Sequence, residues 1–452
     1  MATNASPRPA RGTPRPRRMR EELRALALRL HFYVGLFIAP FLLVTAATGI
    51  LYALTPQLEL IVYDQELHVD AAEGATAVPL AQQIDAARAE VPDGTVTEIR
   101  PSADAGSTTR VMFDSPSAQQ DRQLTAFVNP YTGDVTGVLN TFGEWLPLRT
   151  WFDDLHRNLH LGDAGRWYSE LAASWLWVLA LSGLLTWVTR TVRRRSIRTY
   201  LLPQRTGSQR QRSVSLHASI GVWACIGLIF LSATGLTWSQ YAGGNVGDLR
   251  SALNWDTPVV ATDLASTPEV AQTDVAATAE NLLPIARDHG LSGPVKVVPG
   301  SDGGPWTISQ VQRSWPSAQD SLSVDPSTGE VLDVVRFQDW PLAAKLARWG
   351  VDGHMGLLFG WPNQVVLIAF AASLIALIVL GYGLWWRRRP KGPRRWTIAP
   401  LGRRVDSAGA YGLFIVAAAI VGLVLPLLGV SLIVFVFCDL ARRVVPVRPS
   451  SR

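Results

Sequence analysis

"RLHFYVGLFIAPFLLVTAATGILYAL", residues 29–54, opens on Arg29 and His31 and then runs apolar from 32 to 54. A stretch of that length exceeds the ~18 apolar residues that mark a membrane-crossing helix. It is too long for the apolar region of a secretion signal and lacks a convincing small-x-small cleavage site, so it reads as a retained anchor. Three further runs, near 171–189, 216–239 and 363–386, are of similar length and character. Trp187, Trp238, Trp361, Trp385 and Trp386 stand at span ends, as an aromatic belt requires. A fifth apolar stretch, 411–438, carries Pro426 and Gly429 at its middle, which suits either a tight hairpin or one kinked helix. The expected fold is a membrane α-helical bundle of four core spans plus this C-terminal element.

Charge orients the bundle. Residues 1–30, 189–213, 387–404 and 439–452 hold 28 of the 42 Lys and Arg, against only Glu21, Glu22 and Asp439. Each basic block abuts an apolar run, so the positive-inside rule explains them better than nucleic-acid binding does. The chain reads as a cytoplasmic basic tail (1–24), a first span (25–55), an outer domain (56–145) and an interfacial segment with the second span (146–190). A cytoplasmic basic loop (191–213), a third span (214–242) and a second outer domain (243–340) come next. A second interfacial segment with the fourth span (341–387), a basic loop (388–408), the hairpin or kinked helix (409–440) and a cytoplasmic tail (441–452) complete it. Alternating patterns such as "TVTEIRP" and "KVVPG" give each outer domain a small α+β character with an antiparallel sheet. Cys225 and Cys438 are the two cysteines, so neither a disulfide framework nor a C-x-x-C-H haem attachment is available.

The same unit occurs twice. His31, Gly35, Thr48 and Gly49 recur as His217, Gly221, Thr234 and Gly235, an offset of 186. "FVNPYTGDV" (127–135) resembles "SVDPSTGEV" (323–331), and "HRNLHLG" (156–162) aligns with "HMGLLFG" (354–360) at an offset of 198. The second offset also maps Gly183 on Gly381 and Trp187 on Trp385. Both copies enter the membrane in the same sense, which makes a parallel repeat about an axis along the membrane normal.

Four of the seven histidines fall at repeat-equivalent places: His31 with His217 at the cytoplasmic ends, His156 with His354 at the outer ends. His68 and His289 lie in the outer domains without a sequence partner; His160 is matched by Leu358. Ionisable groups at membrane depth are costly and tend to mark sites. Zinc wants a third nitrogen, sulfur or carboxylate ligand, which the cytoplasmic pair lacks. Haem wants two axial ligands and an apolar slot with small residues beside it. Eighteen residues are five helical turns, so Gly49 shares a face with His31 about 27 Å away, and Gly235 with His217. The expectation is two haem b groups, one at each pair, with Gly49 and Gly235 making room for the outer one. Two imidazoles on one iron leave no open position, which specifies outer-sphere electron transfer.

"LHFYVGLFIAPFLLVTAATGILYAL" (30–54), "LHRNLHLGDAGRWYSELAASWLWVLALSGLLTW" (155–187), "LHASIGVWACIGLIFLSATGLTW" (216–238) and "HMGLLFGWPNQ" (354–364) resemble the PepSY-associated transmembrane family. "VNPYTGDV" (128–135) and "VDPSTGEV" (324–331) resemble the turn of PepSY domains. The resemblance implies a ferrisiderophore reductase of the bacterial cytoplasmic membrane, with two b-type haems on His31, His156, His217 and His354 and two PepSY-like outer domains. His160 is an additional position able to replace His156. No dinucleotide fingerprint follows any strand, so the electron donor is a separate cytoplasmic flavoprotein or membrane quinol, and the acceptor a ferric chelate. Arg149, Arg157, Arg166 and Arg348, near Trp145, Trp167 and Trp349, are candidates for holding that chelate or for anchoring at the interface. The competing readings are a PepSY-type sensor or peptidase regulator without redox activity, and a transporter; no span carries an ionisable residue at mid-depth, which disfavours transport.

Overall fold

The computed structural model describes residues 19–71, 74–191, 201–262, 274–388 and 408–444. The arginine-rich stretches 1–18, 192–200, 389–407 and 445–452, which carry much of the orientation argument, lie outside the described residues.

The first apolar run forms two helices, α1 (Met19–Phe37) and α2 (Ala39–Ala53), bent by 61° about Ile38. Pro40 causes the bend: it has no N–H for the carbonyl four residues back and its ring crowds that carbonyl. The freed acceptor, the Leu36 carbonyl, instead receives the Tyr382 hydroxyl at 2.7 Å. Ile226 stands where a second Pro40 would be, and the corresponding helix there is unbroken.

Two short helices, α3 (Thr55–Val62) and α4 (Asp64–Leu67), lead to α5 (Leu80–Glu90) and a four-strand meander, β1 (Thr95–Arg100), β2 (Thr109–Asp114), β3 (Gln123–Val128) and β4 (Val135–Thr141). Helix α6 (Pro147–Asn158) and the long α7 (Gly162–Thr191) follow, then α8 (Gln209–Leu236) and α9 (Tyr241–Ala252). The same local order then returns: α10 (Val275–Asp288), β5 (Val295–Val298), β6 (Trp306–Gln310), β7 (Ser321–Val324), β8 (Val331–Val335), α11 (Leu342–His354) and α12 (Trp361–Trp386). Helices α13 (Ala408–Val424) and α14 (Pro426–Val444) end the described chain.

Where two sheets were expected there is one. All eight strands pair antiparallel in the order β4-β3-β2-β1-β5-β6-β7-β8, joined at the centre by Ile99 opposite Val297. Strands β1 and β5 would each otherwise present unpaired backbone groups at an edge. Alternation along the strands turns Ile99, Val111, Phe113, Val297, Ile308 and Leu322 to one face, where they meet Ile84 of α5 and Leu282 of α10 in a single core. The Asn/Asp-Pro-x-Thr-Gly stretches close the β3–β4 and β7–β8 hairpins. Asn129 Oδ1 accepts the Tyr131 amide at 2.9 Å and Gly133 takes φ +79°. Asp325 Oδ1 accepts the Ser327 amide at 2.8 Å, with Gly329 at φ +73°, a region glycine enters without strain.

Helices α7, α8 and α12 are long and apolar enough to cross a membrane, and the bent α1–α2 pair makes a fourth span if counted as one. Side chains such as Ile226 (83% exposed) and Val379 (62%) face outward, as lipid contact requires. The C-terminal stretch is a hairpin rather than one kinked helix. Pro426 opens the second arm, and a Cβ on Gly422 would lie 3.0 Å from the Gly429 Cα, so the two backbones cross closely.

By internal contacts the chain forms two units, one from residues 1–40, 174–226 and 376–452, the other from 41–173 and 227–375. His31 and His217 belong to the first; the sheet, His156 and His354 belong to the second.

Candidate functional site: two histidine pairs

In the first unit His31 (α1) and His217 (α8) meet with ring centres 6.3 Å apart and planes at 86°. Nδ1–H of His31 donates to the Leu179 carbonyl at 3.1 Å and to Ser182 Oγ at 3.0 Å, while the Ser182 hydroxyl gives its own proton to the same carbonyl. His217 faces the repeat-equivalent Leu377 carbonyl without closing a hydrogen bond, and its Nδ1 is buried and unpartnered. Leu380 stands where Ser182 stands in the first copy, so the hydroxyl that would complete the arrangement is missing.

In the second unit His156 (α6) and His354 (α11) lie close enough to interact electrostatically. The Thr48 hydroxyl donates to the Val44 carbonyl at 2.9 Å, so its oxygen accepts Nδ1–H of His156 at 3.0 Å. Thr234 repeats this, donating to the Phe230 carbonyl at 2.8 Å and accepting from His354 Nδ1–H at 2.6 Å. In three of the four imidazoles the proton is therefore on Nδ1, which leaves the Nε2 lone pair for a ligand role.

Each imidazole also lies against a glycine. A Cβ on Gly183 would stand 3.1 Å from His31 Cε1, and one on Gly49 3.1 Å from His156 Cε1. In the second copy Gly381 and Gly235 stand in the same relation to His217 and His354 at 3.8 Å. Gly49 and Gly235 thus make room for an outer imidazole directly. Gly183, Gly381, Thr48, Thr234 and Ser182 went unassigned in the sequence, although all but Ser182 recur at the two offsets. Recurrence was the available signal; what each residue touches depends on contacts more than 100 positions away.

His160 is not brought to the pair. It is exposed at φ +55°, right after Leu159 at φ +56°, and rests on Trp151 with ring centres 4.9 Å apart. The two consecutive left-handed residues end α6 and turn the chain aside. His68 and His289 are engaged locally, by Asp64 and the Ile285 carbonyl. Among the candidate arginines, Arg157 pairs with Asp153 and Asp154, Arg348 pairs with Asp352, and Arg166 donates to the Trp238 carbonyl. Arg149 is buried, with Nε donating to the Tyr52 hydroxyl at 3.2 Å. Glu144 bonds both Arg100 and Arg313 at 3.0 and 2.5 Å; burial pushes its carboxyl up, but the two guanidiniums outweigh that and hold it below its ordinary value.

The donor set fits a haem iron. Two imidazoles sharing one metal at bonds of about 2 Å place their ring centres about 6 Å apart. Among the described residues there is no group of three or more His, Cys, Asp or Glu able to hold a bare ion. A porphyrin would bring the remaining donor nitrogens that these residues do not provide.

No curated protein matches the chain. The family model described as the PepSY-associated TM region covers residues 28–388, and the chain belongs to that family, as a multi-pass membrane protein.

Proposed function

We propose that the protein carries electrons outward across the bacterial cytoplasmic membrane through two b-type haems and reduces a ferric chelate, such as a ferrisiderophore, on the outer side. The observation that carries this reading is the His31–His217 approach at 6.3 Å. The second histidine pair, in which each Nδ1 bonds a threonine hydroxyl, supports it. His31 and His217 hold one group; His156 and His354 hold the other. Haem supplies reversible one-electron transfer between ferric and ferrous iron. Nδ1 hydrogen bonds fix the ring orientation and raise the basicity of Nε2, and the glycines let each ring lie flush against a neighbouring helix.

In this reading the chain is a parallel duplication with its N-terminus in the cytoplasm, and each half of the eight-stranded sheet is one PepSY-like domain outside. The donor is a membrane quinol or a cytoplasmic flavoprotein, whose two electrons leave one at a time. Each Fe(III) chelate takes one electron and becomes Fe(II). The test is anaerobic mixing of dithionite-reduced protein with a ferric siderophore while Fe(II) is trapped by a colorimetric chelator. Reoxidation of the haem with one Fe(II) formed per electron is expected. Protein that stays reduced has another acceptor, and protein that binds no haem is better read as a sensor or regulator.

A further inference from the structure

We propose that Arg149 and Tyr52 form a receptor for a carboxylate beside the His156–His354 pair, an inference that rests on the haem reading of that pair. Arg149 is 4% exposed, and its guanidinium lies 3.9 Å from the centre of the Trp145 ring. Nε is bonded to Tyr52, but Nη2 is buried without a partner. Among the described residues no carboxylate comes within 4.0 Å of it, whereas Arg313, over the same Trp145 ring at 5.0 Å, is paired with both Glu144 and Asp352. Burial pushes the carboxyls of Glu59 and Asp153 up and outweighs the Arg149 charge, which holds them down, so both are weakened as counter-ions. A buried guanidinium with an idle donor and no ion pair is costly unless something completes it.

Tyr52 supplies a second donor. Its oxygen accepts from Arg149 Nε, and among the described residues its own proton goes to no acceptor. Its ring lies nearly parallel to His156, at 20° and 6.3 Å between centres. Arg149 and His156 are seven residues apart on α6, which puts them on one face about 10 Å apart along the axis. The duplication shows that the fold does not demand this pair. At the equivalent positions the second copy has Ala347, which has no donor, and Trp238, which keeps a single indole N–H and no charge. One half of a repeated frame has acquired two convergent donors, and an arginine fork with a hydroxyl beside it matches a carboxylate.

Two carboxylates have the right chemistry: a propionate of the haem held by His156 and His354, or a carboxylate of an arriving ferric chelate. The full-length protein in nanodiscs separates them, using Arg149→Gln, Arg149→Lys and Tyr52→Phe beside wild type. Haem content, spectroelectrochemical midpoints and affinity for ferric citrate are measured, with thermal unfolding as a check on folding. If the partner is a propionate, Arg149→Gln lowers the midpoint of one of the two haem transitions, because a positive charge favouring the reduced state is gone. Arg149→Lys then restores most of it, and citrate affinity is unchanged. If the partner is the chelate, the midpoints stay put and the Kd for ferric citrate rises about tenfold in Arg149→Gln. Variants matching wild type in both respects overturn the proposal. Wild-type protein that binds no haem defeats the underlying reading instead, and the citrate measurement then judges Arg149 alone: weaker binding in Arg149→Gln supports the receptor, and no change overturns it.

Discussion

Gly49 and Gly183 leave their histidines less room than Gly235 and Gly381 do, and the difference can be tested one methyl group at a time. At 3.1 Å an added Cβ forces the ring to give; at 3.8 Å it makes ordinary contact. Alanine favours a helix over glycine by about 1 kcal/mol. Gly235→Ala and Gly381→Ala are therefore expected to be neutral or slightly stabilising, with haem content unchanged. Gly49→Ala and Gly183→Ala are expected to lose about 1–2 kcal/mol through overpacking and to lower haem occupancy at their own pair. Thermal unfolding and haem per chain check both halves of the expectation. The 18-residue spacing singled out Gly49 and Gly235 but not Gly183 and Gly381. The 61° bend removes Gly49 from the helix face of His31, so that reading holds for Gly235 and His217 alone. Spacing along one helix says which residues share a face and nothing about which helix arrives there. For the same reason Thr48 and Thr234 were visible as repeated residues and invisible as partners of His156 and His354.

The bend between α1 and α2 is the clearest case of an element shaped by one residue and repaired by another. Pro40 deprives the Leu36 carbonyl of its helical partner, and Tyr382 of α12 supplies a hydroxyl instead. Tyr382→Phe is expected to cost about 1 kcal/mol in the wild-type background, the cost of leaving a half-buried acceptor unpaired. In a Pro40→Ala background, where an amide is again available to Leu36, the same change costs little. A double-mutant cycle on unfolding in detergent measures the difference as a coupling energy. Equal costs in both backgrounds would remove Tyr382 from this role. Pro40 was legible as a potential break because proline chemistry is local, whereas its compensation came from 342 residues later. The C-terminal stretch left hairpin and kinked helix open for the same reason: Pro426 permits either, and the Gly422–Gly429 crossing decides it.

At the scale of the whole molecule, the long apolar helices and the hairpin turns were legible because each depends on composition or local chemistry. The joining of the two half-sheets was not, since the β1–β5 pairing links residues about 200 apart and each strand alone reads as an edge. Glu144 helps tie those halves, reaching Arg100 of the first and Arg313 of the second. Its carboxyl is held below the ordinary 4.5, so its stabilising contribution is present above that pH and is lost as pH falls through the folded value. Glu144→Gln is therefore expected to melt below wild type at pH 7, with the gap closing under pH 4.5. A gap that stays constant with pH would mean that the pairing carries no charge-dependent stability.

The account turns on two metal-sharing histidine pairs, and counting haem in single and double variants tests that most directly. Purified full-length protein should carry two b-type haems per chain by pyridine haemochrome assay. His217→Ala and His354→Ala should each retain one, the double variant none, and His160→Ala both. A chain that takes up no haem, or one whose content is indifferent to His217 and His354, would contradict it.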